Sequence, residues 1–486
     1  MAASTSSYRT RPTATAGMPP GIPFIVGNEA AEKFSFYGMK AILVVFMTHH
    51  LVSASGRPDF MSKTEAREWM HLFVASAYFV PVIGGIVADA FLGKYLTILL
   101  LSLVYCAGHL CLALMDLPGP FLEATLEPRG WLLAGLALIA IGSGGIKPCV
   151  SAHVGDQFGK SNRHLLERVF GWFYFSINFG SFFSTLLTPW LLAHHGAGWA
   201  FGVPGILMAV ATLVFWLGRH RFVHVPPRGV AYFRETFSRE GLLAIGKLVP
   251  LYLLVAVFWS LYDQTGGAWV QQAERMNRTF LGHEWLESQI QAINPLLVLV
   301  FIPLFGLVIY PAIGRIVNFT PLRRIFVGFV LATAAFAISA VAEGRIDAES
   351  ARLAAAGLGP DQGRWPTVGW QLAAYVVITA AEILVSITCL EFSYTQAPTQ
   401  MKSLVMSLNF LSVSLGNLFT ALVNMATRDG SGESTLTGAS YYWFFVACMA
   451  VATGLLIPVV LLYRPREYLQ QEADGPFSSA DSQVTG

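Results

Sequence analysis

Twelve times along this chain, apolar sequence continues far enough to cross about 30 Å of hydrocarbon. The runs lie near 23–51, 67–92, 95–117, 130–157, 165–193 and 198–221, then near 246–270, 286–312, 319–342, 367–396, 401–427 and 438–463. Inside a bilayer each backbone N–H and C=O must be satisfied within its own segment, so runs of this length dictate helices. The expected fold is an all-α membrane protein of twelve transmembrane helices. Composition agrees, because only 12% of the 486 residues are charged where soluble domains carry about 25%. A formal net charge of +2 gives no argument for a nucleic-acid partner. Cys106, Cys111, Cys149, Cys389 and Cys448 all sit in apolar segments without metal-ligand or disulfide-framework spacing, and read as small buried hydrophobes.

The longest connection on the side of the termini, 222–245, contains Pro226-Pro227, Arg228, Arg234 and Arg239 and divides the spans six and six. It reads as a linker between a bundle at 23–221 and a second at 246–463. Residues 1–22 and 464–486 are polar tails, the first without the apolar core of a signal peptide. Basic residues bias the connections. Roughly eighteen fall on the side of the termini (among them Arg9, Lys94, Arg219, Arg228, Arg323 and Arg464), against roughly ten opposite. The positive-inside rule therefore puts both termini in the cytoplasm, in a cell membrane (plasma or inner). Two six-helix halves with a site between them at mid-membrane is the plan of major facilitator transporters. Gly84-Gly85-Ile86-Val87-Ala88-Asp89-Ala90-Phe91-Leu92-Gly93-Lys94 resembles their loop signature after the second span, and Gly314-Arg315 through Arg323-Arg324 its degenerate copy.

Charges placed inside such spans are the informative residues, since each costs on the order of 2.5–3.5 kcal/mol near mid-bilayer on insertion scales. In the first span Glu29, Glu32, Lys33, Phe36, Tyr37 and Lys40 recur at i, i+3, i+4, i+7, i+8 and i+11, one stripe of a helix. Elsewhere the spans hold His71 and Tyr78, Lys147 beside the run Gly142-Ser143-Gly144-Gly145, Tyr174 and Asn178, then Trp259, Asp263, Asn294, Glu382 and Glu391. Carboxylates outnumber lysines, and an unpaired buried carboxylate takes up protons more readily. With a histidine beside them, such groups suit proton coupling. No Gly-Lys-Ser/Thr phosphate loop points to ATP. No cofactor is expected beyond the proton gradient, and no obligate protein partner is evident. A His71–Asp263 pair mimics part of a catalytic dyad, yet no serine or cysteine is placed beside it, so the chain does not read as an enzyme. Lysines gather in the first half while Asn294 and Glu382 lie in the second, which suits a small zwitterion bridging both. A peptide is the natural candidate, with an amino acid or charged metabolite still open.

Five stretches carry a resemblance along nearly the whole chain: Glu29-x-x-Glu32-Lys33-Phe34-x-Phe36-Tyr37-Gly38, Gly144-Gly145-Ile146-Lys147-Pro148 through Gly155-Asp156-Gln157-Phe158, Phe173-Tyr174-x-x-Ile177-Asn178-x-Gly180-Ser181, Phe258-Trp259 through Asp263-Gln264, and Glu391-Phe392-Ser393-Tyr394-Thr395-Gln396-Ala397-Pro398. In that order they resemble the proton-coupled oligopeptide transporter family. The resemblance implies a symporter of di- and tripeptides and protons working by alternating access. It implies that Lys33 and Lys147 hold the peptide carboxylate, with Glu29 and Glu32 in the proton-linked network beside them. Asn178, Asn294 and Glu382 are implied to bind the amino terminus. Tyr37, Tyr78 and Tyr174 would line the cavity, and Trp259 and Ser386 shape its wall. Lys40 with Asp263 would form an outer gate, with His71 titrating next to it.

The sequence also departs from the family pattern. Lys33 and Lys40 stand where arginine is usual, and lysine lacks the bidentate fork. Phe36 replaces the first tyrosine of a pair, and Asn409 replaces a cavity tryptophan. The alternatives these changes motivate are a same-fold transporter of another small anion or zwitterion (nitrate, histidine or a conjugated metabolite) and a non-transporting sensor.

Overall fold

A computed structural model describes residues 8–12, 15–116, 127–159, 161–162, 165–396, 402–429 and 434–463. The tail expected at 464–486 lies outside these, as do Lys160, Arg163 and Pro398. The first half consists of α1 (Ile22–Val45), α2 (Lys63–Val87), α3 (Lys94–Leu114), α4 (Pro128–Asp156), α5 (Leu166–His195) and α6 (Ala197–Leu217). The second consists of α7 (Arg239–Tyr262), α8 (Ile293–Leu304), α9 (Pro321–Ala356), α10 (Gly369–Glu382), α11 (Lys402–Thr427) and α12 (Ala439–Leu462). Wide π-type turns extend four of them: Phe46–His50 after α1, Ala88–Leu92 after α2, Phe305–Ile309 after α8 and Ile383–Ile387 after α10. Helix then resumes at Tyr310–Gly314 and at Thr388–Gln396. Ten of the helices among the described residues are long and apolar enough to cross a membrane. The other two long helices are α1, which carries the charged stripe, and α5. The chain is a multi-pass membrane protein.

Three elements differ from the sequence expectation. α9 runs to Ala356, well past the apolar stretch ending near 342, because Glu343-Gly344-Arg345 through Ala356 is a good helix former that continues into solvent. The linker is partly helical at Val230–Thr236, and α7 begins at Arg239. Between α7 and α8 lie a short helix, Ala268–Ala273, and a two-stranded hairpin pairing Thr279 with Glu284 and Phe280 with His283. Before α1, Arg9 bridges to Val223, and the His224 N–H donates to the Arg9 carbonyl at 2.7 Å.

Local chemistry explains how the helices are placed. Ser62 caps α2 by accepting from the Glu65 N–H at 3.1 Å, half of the Ser-x-x-Glu arrangement that starts helices. The small-residue run of α4 is needed for contact. A Cβ on Gly84 would lie 2.6 Å from the Gly145 Cα, and one on Gly144 would lie 2.4 Å from Val80. Close backbone approach of this kind substitutes packing for the hydrophobic drive that lipid removes, and it fixes α4, with Lys147, against α2. In the second half a Cβ on Gly416 would lie 2.2 Å from the Ala256 carbonyl, so α11 touches α7 one residue before Asn417.

Two hydrophobic cores result. One joins Ile22, Phe36, Val74, Ile139, Phe201 and Phe222 of the first half, and the other joins Leu248, Phe258, Phe329, Tyr375, Phe445 and Leu456 of the second. Polar contacts between the halves cluster on the face opposite the N-terminal segment. Lys63 meets Glu274 at 2.5 Å, Arg428 meets Glu68 at 3.0 Å, and the Gln289 amide donates to the Leu186 carbonyl at 2.9 Å.

Candidate functional site

On the first turns of the charged stripe, Lys33 Nζ lies 2.7 Å from Glu32 Oε2 and 3.0 Å from Glu29 Oε1. All three side chains are buried. Helical periodicity sets Glu29 and Lys33 on one face, four residues apart, and the flexible lysine stem reaches sideways to its neighbour Glu32. Two carboxylates and one ammonium leave an excess negative charge, and Lys147 of α4 stands within electrostatic reach of Glu32 and Glu29. The Lys147 ammonium has no hydrogen-bond partner among the described residues. It instead sits 3.9 Å from the centre of the Phe36 ring and 4.0 Å from that of Tyr78, a double cation–π contact. The absent hydroxyl at Phe36 is thus matched by an aromatic face turned to a buried cation.

Two turns further along α1 the chemistry is tertiary. Lys40 Nζ lies 2.5 Å from Asp263 Oδ1, at the end of α7. The other oxygen, Oδ2, accepts from Asn417 Nδ2 at 2.7 Å, and Asn417 Oδ1 lies 2.7 Å from His71 Nδ1. All four side chains are buried. His71 therefore reaches the Lys40–Asp263 pair through Asn417 and not directly. Sequence reasoning missed Asn417, although Asn409, Ser412, Asn417, Thr420 and Asn424 trace a polar stripe inside an apolar span.

The second half contributes a hydrogen-bonded carboxylate. Glu382 Oε2 accepts from Asn294 Nδ2 at 2.9 Å, and the same amide donates to Thr379 Oγ1 at 2.9 Å. The Tyr262 hydroxyl, also unforeseen, donates to Asn294 Oδ1 at 3.2 Å. Trp259 packs edge-on against Tyr262 at 5.3 Å, with a buried Nε1 that has no partner among the described residues. Ser386 lies in the π-type turn that follows Glu382, half-buried. Such turns recur at functional positions because they re-aim side chains within a helix. Glu391 is corrected: its side chain is 59% exposed and 4.0 Å from Arg324, so it leaves the buried set. An exposed carboxylate keeps its hydration and pairs with whichever base is near.

The aromatic hydroxyls of the first half lie within electrostatic reach of charged groups from both halves. Tyr37 is within electrostatic reach of Lys33 and Glu32 on one side and of Glu382 and Asp263 on the other. Tyr78 likewise senses Glu32, Asp263 and Glu382. Tyr174 and Asn178 are placed differently. Tyr174 is exposed, and the half-buried Asn178 amide donates back to the Tyr174 carbonyl at 2.9 Å. Neither engages the groups above.

Comparison with known proteins bears on what this arrangement is. The sequence model of the PTR2 family, described as the POT family, matches residues 95–245 and 239–444. Human solute carrier family 15 member 2 is 37% identical over 374 residues, covering 68% of this chain and 49% of that protein. The chain spans about half the length of the curated relatives it matches. A solved auto-inhibited POT family peptide transporter superposes with a TM-score of 0.78 at 34% identity, over 93% of this chain and 99% of the other. A solved proton-dependent oligopeptide (POT) family transporter gives 0.69 at 33% identity, over 90% and 100%.

Proposed function

The chain belongs to the POT family, and from that premise we propose that it carries di- and tripeptides together with protons by alternating access between its two six-helix halves. One observation supports this above the others. Buried amines of the first half, Lys33 and Lys147, and the half-buried carboxylate Glu382 of the second stand on either side of Tyr37, which is within electrostatic reach of Lys33 and Glu382. A zwitterionic peptide would complete both poles. Its carboxylate goes to Lys147, whose ammonium is held by aromatic faces rather than by an anion, and to Lys33. Its amino terminus goes to Glu382 and Asn294, with Asn178 turning from its own helix to join them. Tyr37 and Tyr78 line the peptide site, Tyr174 turns inward with Asn178 to join them, and Trp259 and Ser386 shape the wall of the second half.

Protons enter the same account. When peptide carboxylate draws Lys33 away, Glu29 and Glu32 lose their shared cation, and a proton on one of them restores the balance. Lys40, Asp263 and His71 form the outer gate, and its rupture precedes opening of that face. The excess of basic residues on the terminal side supports cytoplasmic termini in a cell membrane. The proton gradient is the only energy source the account needs.

The test is uptake of a labelled dipeptide into liposomes holding the purified protein. An inward proton gradient drives accumulation, and Glu32→Gln abolishes it while sparing counterflow exchange. Equal accumulation with and without the gradient overturns proton coupling. Competition by nitrate or a single amino acid, and none by dipeptides, moves the substrate to another small anion or zwitterion.

A further inference from the structure

Asn417 couples two groups whose proton positions can be deduced from its own. Its Nδ2 faces two acceptors, Asp263 Oδ2 at 2.7 Å and the carbonyl of Val413 at 3.0 Å. Asp263 is held as a carboxylate by Lys40 at its other oxygen, and a backbone carbonyl has no proton to give. The amide nitrogen must therefore point that way, and its oxygen toward His71. An amide oxygen only accepts, so the hydrogen of the 2.7 Å contact belongs to His71 Nδ1. A neutral imidazole carries one N–H, which leaves Nε2 bare. That atom is buried and touches no donor or acceptor among the described residues. Gly416 sets the α11 backbone against that of α7 one residue before Asn417.

We infer that Asn417 is a positioning residue that holds His71 in the Nδ1–H tautomer, sends its second proton to Nε2, and keeps the ring tied to the Asp263 carboxylate in both protonation states. The charged groups within reach of the ring are Asp263 from α7, Lys40 from α1 and Arg67 from its own helix. A proton arriving at Nε2 breaks no hydrogen bond. It makes Nδ1–H a stronger donor, polarises the amide, and strengthens the Asn417 bond to Asp263 at the expense of Lys40. The carboxylate thus shifts from Lys40 of α1 toward Asn417 of its own half, and the bond that ties the halves passes from the Lys40–Asp263 pair to the His71–Asn417 contact.

This inference rests on the proton-coupled reading for its use, while its test does not. Histidine-¹⁵N spectra of the full-length protein in nanodiscs, with His71→Gln subtracted to isolate one of the eleven histidines, report the tautomer directly. The wild type is expected to show a protonated Nδ1 and a bare Nε2. Asn417→Leu is expected to move the tautomer ratio toward Nε2–H by about tenfold, equivalent to about 1.4 kcal/mol. Asn417→Asp, which still accepts from the ring, retains Nδ1–H. A wild-type ring in the Nε2–H form, or Nδ1–H persisting in Asn417→Leu, overturns the inference. Should neither variant fold, the wild-type spectrum decides alone. Liposome uptake then distinguishes the two levels. If the tautomer is as expected and no proton-driven uptake occurs, the proposed function fails and the positioning role stands. If both hold, the pH profile of uptake shifts in Asn417→Leu.

Discussion

Lys33 and Lys40 share one helix, one stripe and near-complete burial, yet they solve the problem of a buried ammonium in opposite ways. Lys33 is neutralised by Glu29, four positions back on its own helix, and by the adjacent Glu32, so α1 carries the triad as one body. Lys40 is neutralised by Asp263, 223 residues away in the other half. The first arrangement survives any rocking of one half against the other. The second would not, because its partner belongs to the other half. Under the proposed mechanism the local triad would exchange a proton or a cargo, and the tertiary pair would act as a latch.

Substitutions that break this contrast should rank by how much buried charge they strand. Asp263→Asn leaves Lys40 buried with no anion, an effect of about 3–5 kcal/mol for a broken buried pair. It should lower the unfolding temperature and speed amide exchange in Ala268–Ala273, and adding Lys40→Gln should recover most of the loss. Lys33→Gln strands two carboxylates but leaves Lys147 near them, so a loss of about 3 kcal/mol is expected. Here the unfolding temperature falls while exchange in Ala268–Ala273 stays at its wild-type rate. Faster exchange there would erase the distinction between the two lysines.

Smaller effects sharpen the same contrast. Phe36→Leu removes one of the two rings holding Lys147, worth about 0.5–2 kcal/mol for a desolvated cation. Dipeptide affinity measured by calorimetry should change by between twofold and thirtyfold, with the Lys40 latch untouched. Glu274→Gln removes a rim contact to Lys63, whose side chain is 43% exposed. Less than about 1 kcal/mol is at stake there, and the effect should vanish in high salt, checked by unfolding temperature with and without added sodium chloride.

The depth of what was readable follows the same division. The Glu29, Glu32, Lys33 triad was legible because its three residues lie within five positions of one helix. So were the spans, their pairing into two groups of six, and the need for Gly144 and Gly145 beside Lys147. Asn417 and Tyr262 were not. Each is a common polar residue in an apolar span: Asn417 meets Asp263 because of how α11 and α7 are set against each other at Gly416, and Tyr262 meets Asn294 because of how α7 lies beside α8. Glu391 was overvalued because a hydropathy window counts it inside a span that the structure ends in a resumed helix beside Arg324. The extension of α9 to Ala356 was invisible to a criterion that ends helices where apolar sequence ends.

Spin labels at Ser55 and Leu281, exposed on the α1–α2 connection and on the hairpin before α8, measure the separation of the halves on the latched face. The labels are introduced in a background without the five native cysteines. Pulsed dipolar spectroscopy in nanodiscs should give one short distance population in the wild type and in Lys33→Gln, and a second, longer population in Asp263→Asn. A longer population in Lys33→Gln as well, or its absence from Asp263→Asn, contradicts the assignment of Lys40 and Asp263 as the latch between the halves.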